Sequence, residues 1–238
     1  MSGPKSMNSP NDGVAKRQGG ACPAPPGVSP PLSGYHVETC FGPRGCPNRA
    51  VVCQGLTEKI KELFQVRDWK VFLQGLVPGP LKVHHEFRVS ISDCPNACSR
   101  PQIADIGLIG ACRPAVTGEV CSQCNACAEA CQEGAISFPG PAPRVDEARC
   151  LDCGKCIAAC PVGALQTDVR GYRILLGGKL GRHPRLATPL PGIFAVEKIP
   201  EIIALALDYY MRYCREGERL GEILERSGTE EISKGIIP

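Results

Sequence analysis

Eight cysteines between residues 121 and 160 fall into two runs of one spacing. The first run, from Cys121, reads CSQCNACAEAC, and the second, from Cys150, reads CLDCGKCIAACP. Each is C-x2-C-x2-C-x3-C, and the second closes with Pro161. Three thiols at every third residue wrap one cube of iron and sulfide, and the fourth reaches a neighbouring cube. The residues after each fourth cysteine also repeat: CQEGAI at 131–136 answers CPVGAL at 160–165. An internal repeat of this kind is the mark of a pseudo-twofold unit holding two clusters. Zinc sites use separated C-x2-C pairs rather than four cysteines in eleven residues. Disulfides belong to small secreted chains. The spacing therefore points to two 4Fe-4S clusters.

The block resembles the bacterial-type two-cluster ferredoxins over about a fifth of the chain. The expected ligand sets are Cys121, Cys124, Cys127 and Cys160 for one cluster, and Cys131, Cys150, Cys153 and Cys156 for the other. With 16 cysteines in 238 residues, this pattern indicates a reducing compartment. A hydrophobic content of 43% is enough for a sizeable core. A net charge of +3 gives no support for nucleic acid or a membrane surface as partner. There is no apolar run of 18 residues and no leader-like N-terminal segment, so a soluble, cytoplasmic protein is expected.

Residues 1–34 are rich in Pro, Gly, Ser and Asn and read as a disordered or extended arm, with Cys22 an incidental thiol. From Tyr35 the chain reads as ordered. Cys40 and Cys46 form a C-x5-C loop containing two glycines and one proline. A helix follows, with Leu56, Ile60, Leu63 and Phe64 on one face, broken by residues 75–81. Residues 83–92 read as a strand leading into Cys94 and Cys98, a C-x3-C pair that helical backbone would place on one face. Residues 103–110 read as a second strand and 172–176 as a third. Residues 177–186, GGKLGRHPRL, suit either an anion-facing loop or an exposed hairpin turn. Pro200 opens a last long helix that Ser227-Gly228 can end, with a buried stripe of Ile202, Ile203, Ala206, Tyr209, Tyr210 and Tyr213.

Cys40, Cys46, SDCPNACSRPQIADIGLIGA (92–111), the cysteine block directly after it, and GYRILLGGKLGRHPRLA (171–187) resemble the sirohaem-containing sulfite and nitrite reductases. The likeness is strongest to anaerobic and dissimilatory-type sulfite reductases with a ferredoxin insert, and it covers roughly residues 35 to 238. It implies an α+β domain of mixed sheet and helices, in two parts (35–111 and 169–238), interrupted by an inserted ferredoxin domain at 112–168. It implies a third 4Fe-4S cluster on Cys40, Cys46, Cys94 and Cys98, with Cys98 bridging to the iron of sirohaem. It further implies six-electron reduction of sulfite, or of nitrite, fed through the insert by an electron-donor protein.

A small oxyanion and the carboxylates of sirohaem both require cations. The candidates for anion contact are Arg44, Arg49, Lys179 and Arg182, and those for holding the cofactor are Arg100, Gly178, Lys179, Arg182, His183 and Arg185. His84 and His85 are candidate proton donors or haem neighbours, with a strand-surface position as the plainer reading. The chain departs from the family pattern before Cys40. The family's N-terminal half domain is replaced by the Pro/Gly arm, and an expected Arg-Asn pair reads Tyr35-His36-Val37-Glu38. A partner subunit or self-association completing the pocket is one expectation, and sirohaem binding with altered or no catalysis is another. A haem-free electron carrier with two or three clusters is the alternative. Cys53, Cys112 and Cys214 read as buried free thiols.

Overall fold

The computed structural model describes residues 32–52 and 54–236. The arm up to Pro31 with Cys22, and also Cys53, lie outside the described residues. The frame is a five-stranded sheet of mixed direction built from β1 (Tyr35–Thr39), β2 (Phe87–Ser92), β3 (Ile106–Val116), β6 (Leu165–Leu176) and β7 (Thr188–Pro189), in that order. β1 pairs parallel with β2, and β2 parallel with β3, whereas β3 with β6 and β6 with β7 are antiparallel. Parallel neighbours require a crossover. Helices α1 (Leu56–Gln65) and α2 (Trp69–Leu76) supply the one between β1 and β2. The crossover from β2 to β3 is the segment 93–105, which contains CPNAC and a 3-10 turn at Pro101–Ile103.

The register places Thr39 beside Ile91, and the Cys40 N–H donates to the Ile91 carbonyl at 2.9 Å. Two cysteine motifs far apart in sequence thus leave neighbouring parallel strands at the same carboxyl end. Open sheets present their sites at such ends.

One face of the sheet is covered by α1, α2, α5 (Ile199–Tyr213) and α6 (Leu220–Ser227). The few aromatic residues concentrate there. Tyr35 stacks on Phe64 at 4.4 Å, Trp69 meets Phe87 edge-on at 5.3 Å, and Phe87 meets Tyr210 at 5.1 Å. Such pairs add about 0.5–1.5 kcal/mol each beyond their burial. A short helix, α7 (Glu230–Ile236), closes the chain over α5.

The cysteine block hangs from the far end of the β3–β6 hairpin, whose pairing runs from Ile106↔Leu176 to Val116↔Leu165. It contains two one-turn helices, α3 (Ala126–Ala130) and α4 (Lys155–Ala159), and a small ladder of β4 (Ile136–Ser137) with β5 (Arg144–Val145). Cys127, Cys156 and Leu165 form its own small core. Among the described residues no helix is long and apolar enough to cross a membrane.

Several local expectations are corrected. The strand begins at Phe87 rather than Val83, because residues 83–85 close a 3-10 turn in which the Lys82 N–H donates to His85 Nδ1 at 3.1 Å. The Cys94–Cys98 segment is not helical: Ala97 adopts the left-handed region, φ 51°, and turns the chain. The final helix is two helices, since Glu216 (φ 50°) and Gly217 (φ 78°) reverse the chain between α5 and α6. The strand predicted at 103–110 starts instead at Ile106, after a 3-10 turn at Pro101–Ile103, and runs on to Val116, and the one predicted at 172–176 already starts at Leu165. Their added length pairs with itself across the hairpin and carries polar residues.

Candidate functional site

Four thiols gather at the carboxyl ends of β1 and β2. Cys40 and Cys94 are buried, Cys46 is half-buried and Cys98 is exposed. Burial pushes the Cys94 thiol up, and the nearby Cys40, Cys98 and Cys46 thiols push it further. Cys40 Sγ accepts backbone N–H bonds from Gly42 at 3.2 Å and Asp93 at 3.3 Å. Cys40, Cys46 and Cys98 are thus charge neighbours of Cys94 at this end of the sheet.

Asp93, which sequence reasoning passed over, is the hub of this end. Its carbonyl accepts from Ala50 at 2.7 Å and Val51 at 3.2 Å, tying down the loop after Cys46. Its buried carboxyl accepts from Tyr172 Oη at 2.9 Å. Desolvation raises its pKa, while the Tyr172 bond and the Arg49 charge oppose that. A Cβ on Gly110 or Gly42 would lie within 3.0 Å of Asp93 atoms, so only glycine permits β3 and the C-x5-C loop to approach it. The position beside Cys94 was the available signal for Asp93. Nothing local marked Tyr172 as its partner.

A knot of serines fixes the exit from the turn. Ser99 Oγ donates to the Ile91 carbonyl at 2.8 Å, its N–H donates to Ser92 Oγ at 3.2 Å, and its carbonyl accepts from Ser90 Oγ at 2.6 Å. All three serines are buried, and their mutual bonds satisfy them.

In the block the thiols sort into two sets. Burial raises Cys127, with Cys160 and Cys121 as charged neighbours, and Cys124, lowered chiefly by the Ala126 N–H, also faces Cys160. Burial raises Cys150 and pushes Cys156 up to about 12, with Cys131 and Cys153 beside both. At Cys160, burial acts upward but the N–H groups of Leu165, Val162, Ala164 and Gly163 outweigh it. Further N–H donors reach Cys121 from Gln123, Cys131 from Ala135 and Cys150 from Asp152, at 3.3–3.4 Å. Crowded thiols, of which burial makes Cys127, Cys150 and Cys156 costly to ionise, supplied with N–H donors, fit a cationic iron core bound as thiolates. Among the described residues no three His, Cys, Asp or Glu side chains converge closely enough for a single metal ion. A cleft lined by Cys131, Cys150, Cys153 and Cys156 opens toward Cys94, Pro95 and Asn96.

The candidate cations divide into two groups. Arg44, Arg49, Arg100, Arg182 and His183 are exposed. Arg44 lies 4.8 Å over the Phe41 ring. Lys179 and Arg185 are instead held within the frame. Lys179 is buried and pairs with Glu222 at 2.7 Å, and Arg185 pairs with Glu225 at 3.1 Å and donates to the Gly177 carbonyl at 2.7 Å. Lys179 and Arg185 also exchange backbone hydrogen bonds, so the 177–186 segment is a hairpin loop with Arg182 and His183 at its tip. The Ala187 N–H donates to the Gln102 carbonyl at 2.7 Å, and Ala187 packs with Ala97, which sets this loop beside the Cys94–Cys98 turn. Gly178 lies against the backbone of residues 102–104. His84 is exposed and His85 half-buried in their turn, which joins neither thiol set.

Glu222 offers a pH test of the loop's anchorage. Burial works against its charge, but the Lys179 bond and the Arg219 N–H prevail and hold its pKa below the usual 4.5. A lowered carboxyl pKa stabilises the fold above its unfolded-state value, and that gain is lost as pH falls through the folded-state value. Glu222→Gln is expected to cost about 1 kcal/mol at pH 7, given its partial exposure. The difference from wild type in urea melts should fade below pH 4.5.

Thiol sets at the ends of parallel strands, with a two-run cysteine block on the adjoining hairpin, define an iron–sulfur oxidoreductase domain. The chain belongs to the family described as nitrite and sulphite reductase 4Fe-4S domain, which matches residues 36–237. It is 37% identical over 191 residues to a protein of Methanocaldococcus jannaschii named coenzyme F420-dependent sulfite reductase, covering 79% of this chain and 28% of that one. It is 27% identical over 105 residues to one subunit of the anaerobic sulfite reductase of Salmonella typhimurium, covering 44% of this chain and 26% of that one. The chain thus aligns with little more than a quarter of either relative. Its fold is similar to that of dissimilatory sulfite reductase I, with a TM-score of 0.56 at 19% identity, over 84% of this chain and 51% of that chain.

Proposed function

We propose that this chain is the catalytic-type part of a sulfite reductase, carrying three 4Fe-4S clusters and sirohaem. The observation that carries this is that Cys40, Cys46 and Cys98 are neighbours of Cys94 at the ends of β1 and β2, with Cys98 alone among the four exposed. Buried Cys40 and Cys94 and half-buried Cys46 suit cluster ligands, and the exposed Cys98 would be the thiol turned toward sirohaem. When bound there, sirohaem supplies the site at which sulfite is reduced by six electrons to sulfide. Nitrite is the other substrate the family name admits; both named sequence relatives are sulfite reductases.

The residues of this chain have separable tasks. Asp93 and the serine knot hold the two cysteine loops in register. The exposed Arg44, Arg49, Arg100, Arg182 and His183 offer charge to the substrate oxyanion and to cofactor carboxylates, a use of planar, multi-donor cations. Lys179 and Arg185 shape the loop that presents Arg182 and His183. The clusters of the block, assigned to the insert at 112–168, carry electrons from a donor protein. The face around Cys98 is open, and a partner subunit is proposed to cover it.

An absorption spectrum of the anaerobically purified chain tests this. A Soret band with a chlorin-type red band is expected beside the broad cluster absorption. Iron matching three clusters without the red band would instead identify a haem-free electron carrier.

A further inference from the structure

We propose that the two clusters of the block act in a fixed order. The one on Cys121, Cys124, Cys127 and Cys160 receives each electron. The one on Cys131, Cys150, Cys153 and Cys156 passes it to the Cys40–Cys98 centre beside the Pro95–Asn96 turn. This deepens the function proposed above and rests on the ligand sets given there.

The cleft between the thiol sets is the first observation. All four sulfur-bearing residues of the inner set line it, and Cys94, Pro95 and Asn96 form its other wall. None of Cys121, Cys124, Cys127 or Cys160 lines it.

The strand path gives the same order independently. Gly110 packs directly on Asp93, the neighbour of Cys94. Two residues along β3, the Cys112 N–H donates to the Asp152 carbonyl at 2.6 Å, and the Cys112 backbone forms an isolated parallel β-bridge with Cys153. Arg113 pairs with Asp152 at 3.6 Å, and Arg173 from β6 donates to the Leu151 carbonyl at 3.3 Å. The Cys150–Cys153 loop is therefore fastened to the hairpin where the hairpin meets the frame. The other set is fastened at the outer end. Thr117 donates through its N–H to the Ala164 carbonyl at 3.0 Å and through Oγ1 to the Gly163 carbonyl at 2.9 Å. Those residues belong to the segment whose N–H groups surround Cys160. From Cys112 to Thr117 is five residues, about 17 Å of strand. The outer end is also the accessible one: Cys124 is exposed, and Val120 is 88% exposed.

A low-potential one-electron donor loses one electron to the outer cluster, and each onward transfer reoxidises one cluster as it reduces the next. No bond or proton moves.

The test is spectroscopic and needs no turnover. In fully reduced full-length protein, a reduced neighbour broadens the paramagnetic resonance of the Cys40–Cys98 centre. Cys153→Ser is expected to abolish that broadening, and Cys124→Ser to preserve it. Two variants at exposed positions keep the test decisive if a cysteine variant loses both clusters. Leu151→Lys should raise the midpoint potential of the cluster that broadens the centre. Val120→Lys should raise that of the other cluster. The reverse assignment, or equal broadening by both clusters, would overturn the order. A chain with three clusters and no red absorption band would sink the catalytic reading yet leave the order standing.

Discussion

Cys98→Ser is expected to erase the signal of the centre proposed on Cys40, Cys46, Cys94 and Cys98 and leave both clusters proposed for the block in place. The turn that carries Cys98 does not depend on its sulfur. Ser99, the next residue, is locked to Ile91, Ser92 and Ser90 by four hydrogen bonds, and Ala97 is packed with Ile109, Leu175 and Ala187. Cys98 itself is exposed, so serine opens no cavity. The loss should thus be chemical rather than structural. Changing residues that only support a metal's ligands already costs about 10–100-fold, so under the proposed function removing a ligand should lower sulfite-dependent dye oxidation by more than about 100-fold. Iron content and resonance spectra, read before and after reduction, check the claim. Disappearance of all clusters would show instead that the block cannot hold iron apart from the frame.

The contrast between the two thiol regions also explains what could be read from sequence. The block could be read from sequence because its proposed ligands are local: four cysteines within eleven residues suit one wrapping, and the repeat suits the other. The Cys40–Cys98 set is not local. Its members meet only because β1 and β2 are parallel and in the register Thr39↔Ile91, a pairing no short-range pattern encodes. Resemblance supplied that set, and the strand ends supply its physical reason. Asp93, Tyr172 and Gly110 stayed hidden for the same cause, since each matters through a residue on another strand. Lys179 and Arg185 show the opposite difficulty. A cation in a glycine-rich loop looks available for an anion until a distant helix supplies Glu222 and Glu225. Helix periodicity found the apolar faces of α1 and α5 but not the breaks, which rest on single left-handed residues such as Asp68 and Glu216.

That distant helix underlies the second large effect. Arg219→Met is expected to destabilise the chain by about 3–5 kcal/mol, the usual result of stripping one partner from a buried ion pair. Asp105 is fully buried at the start of β3. Its carboxylate accepts from Arg219 Nε at 3.0 Å, from Arg219 Nη2 and from the Arg88 N–H at 2.8 Å. Methionine fills much of the volume but leaves that carboxylate with one donor. For a chain of this size each kcal/mol is worth about 2–4 °C, so the melting temperature should fall by about 6–20 °C. The loss should reach the site through α6, because Arg219 precedes that helix and Glu222 and Glu225 on it hold Lys179 and Arg185. Combining Arg219→Met with Asp105→Asn removes the stranded charge and should recover a sizeable part of the stability. Full additivity of the two losses would mean that the residues do not act as a pair. Resonance signals of the clusters, scaled to folded protein, should be unchanged in Arg219→Met. The pair sets how firmly the 177–187 loop is carried, whereas the sulfurs and their N–H donors set the chemistry.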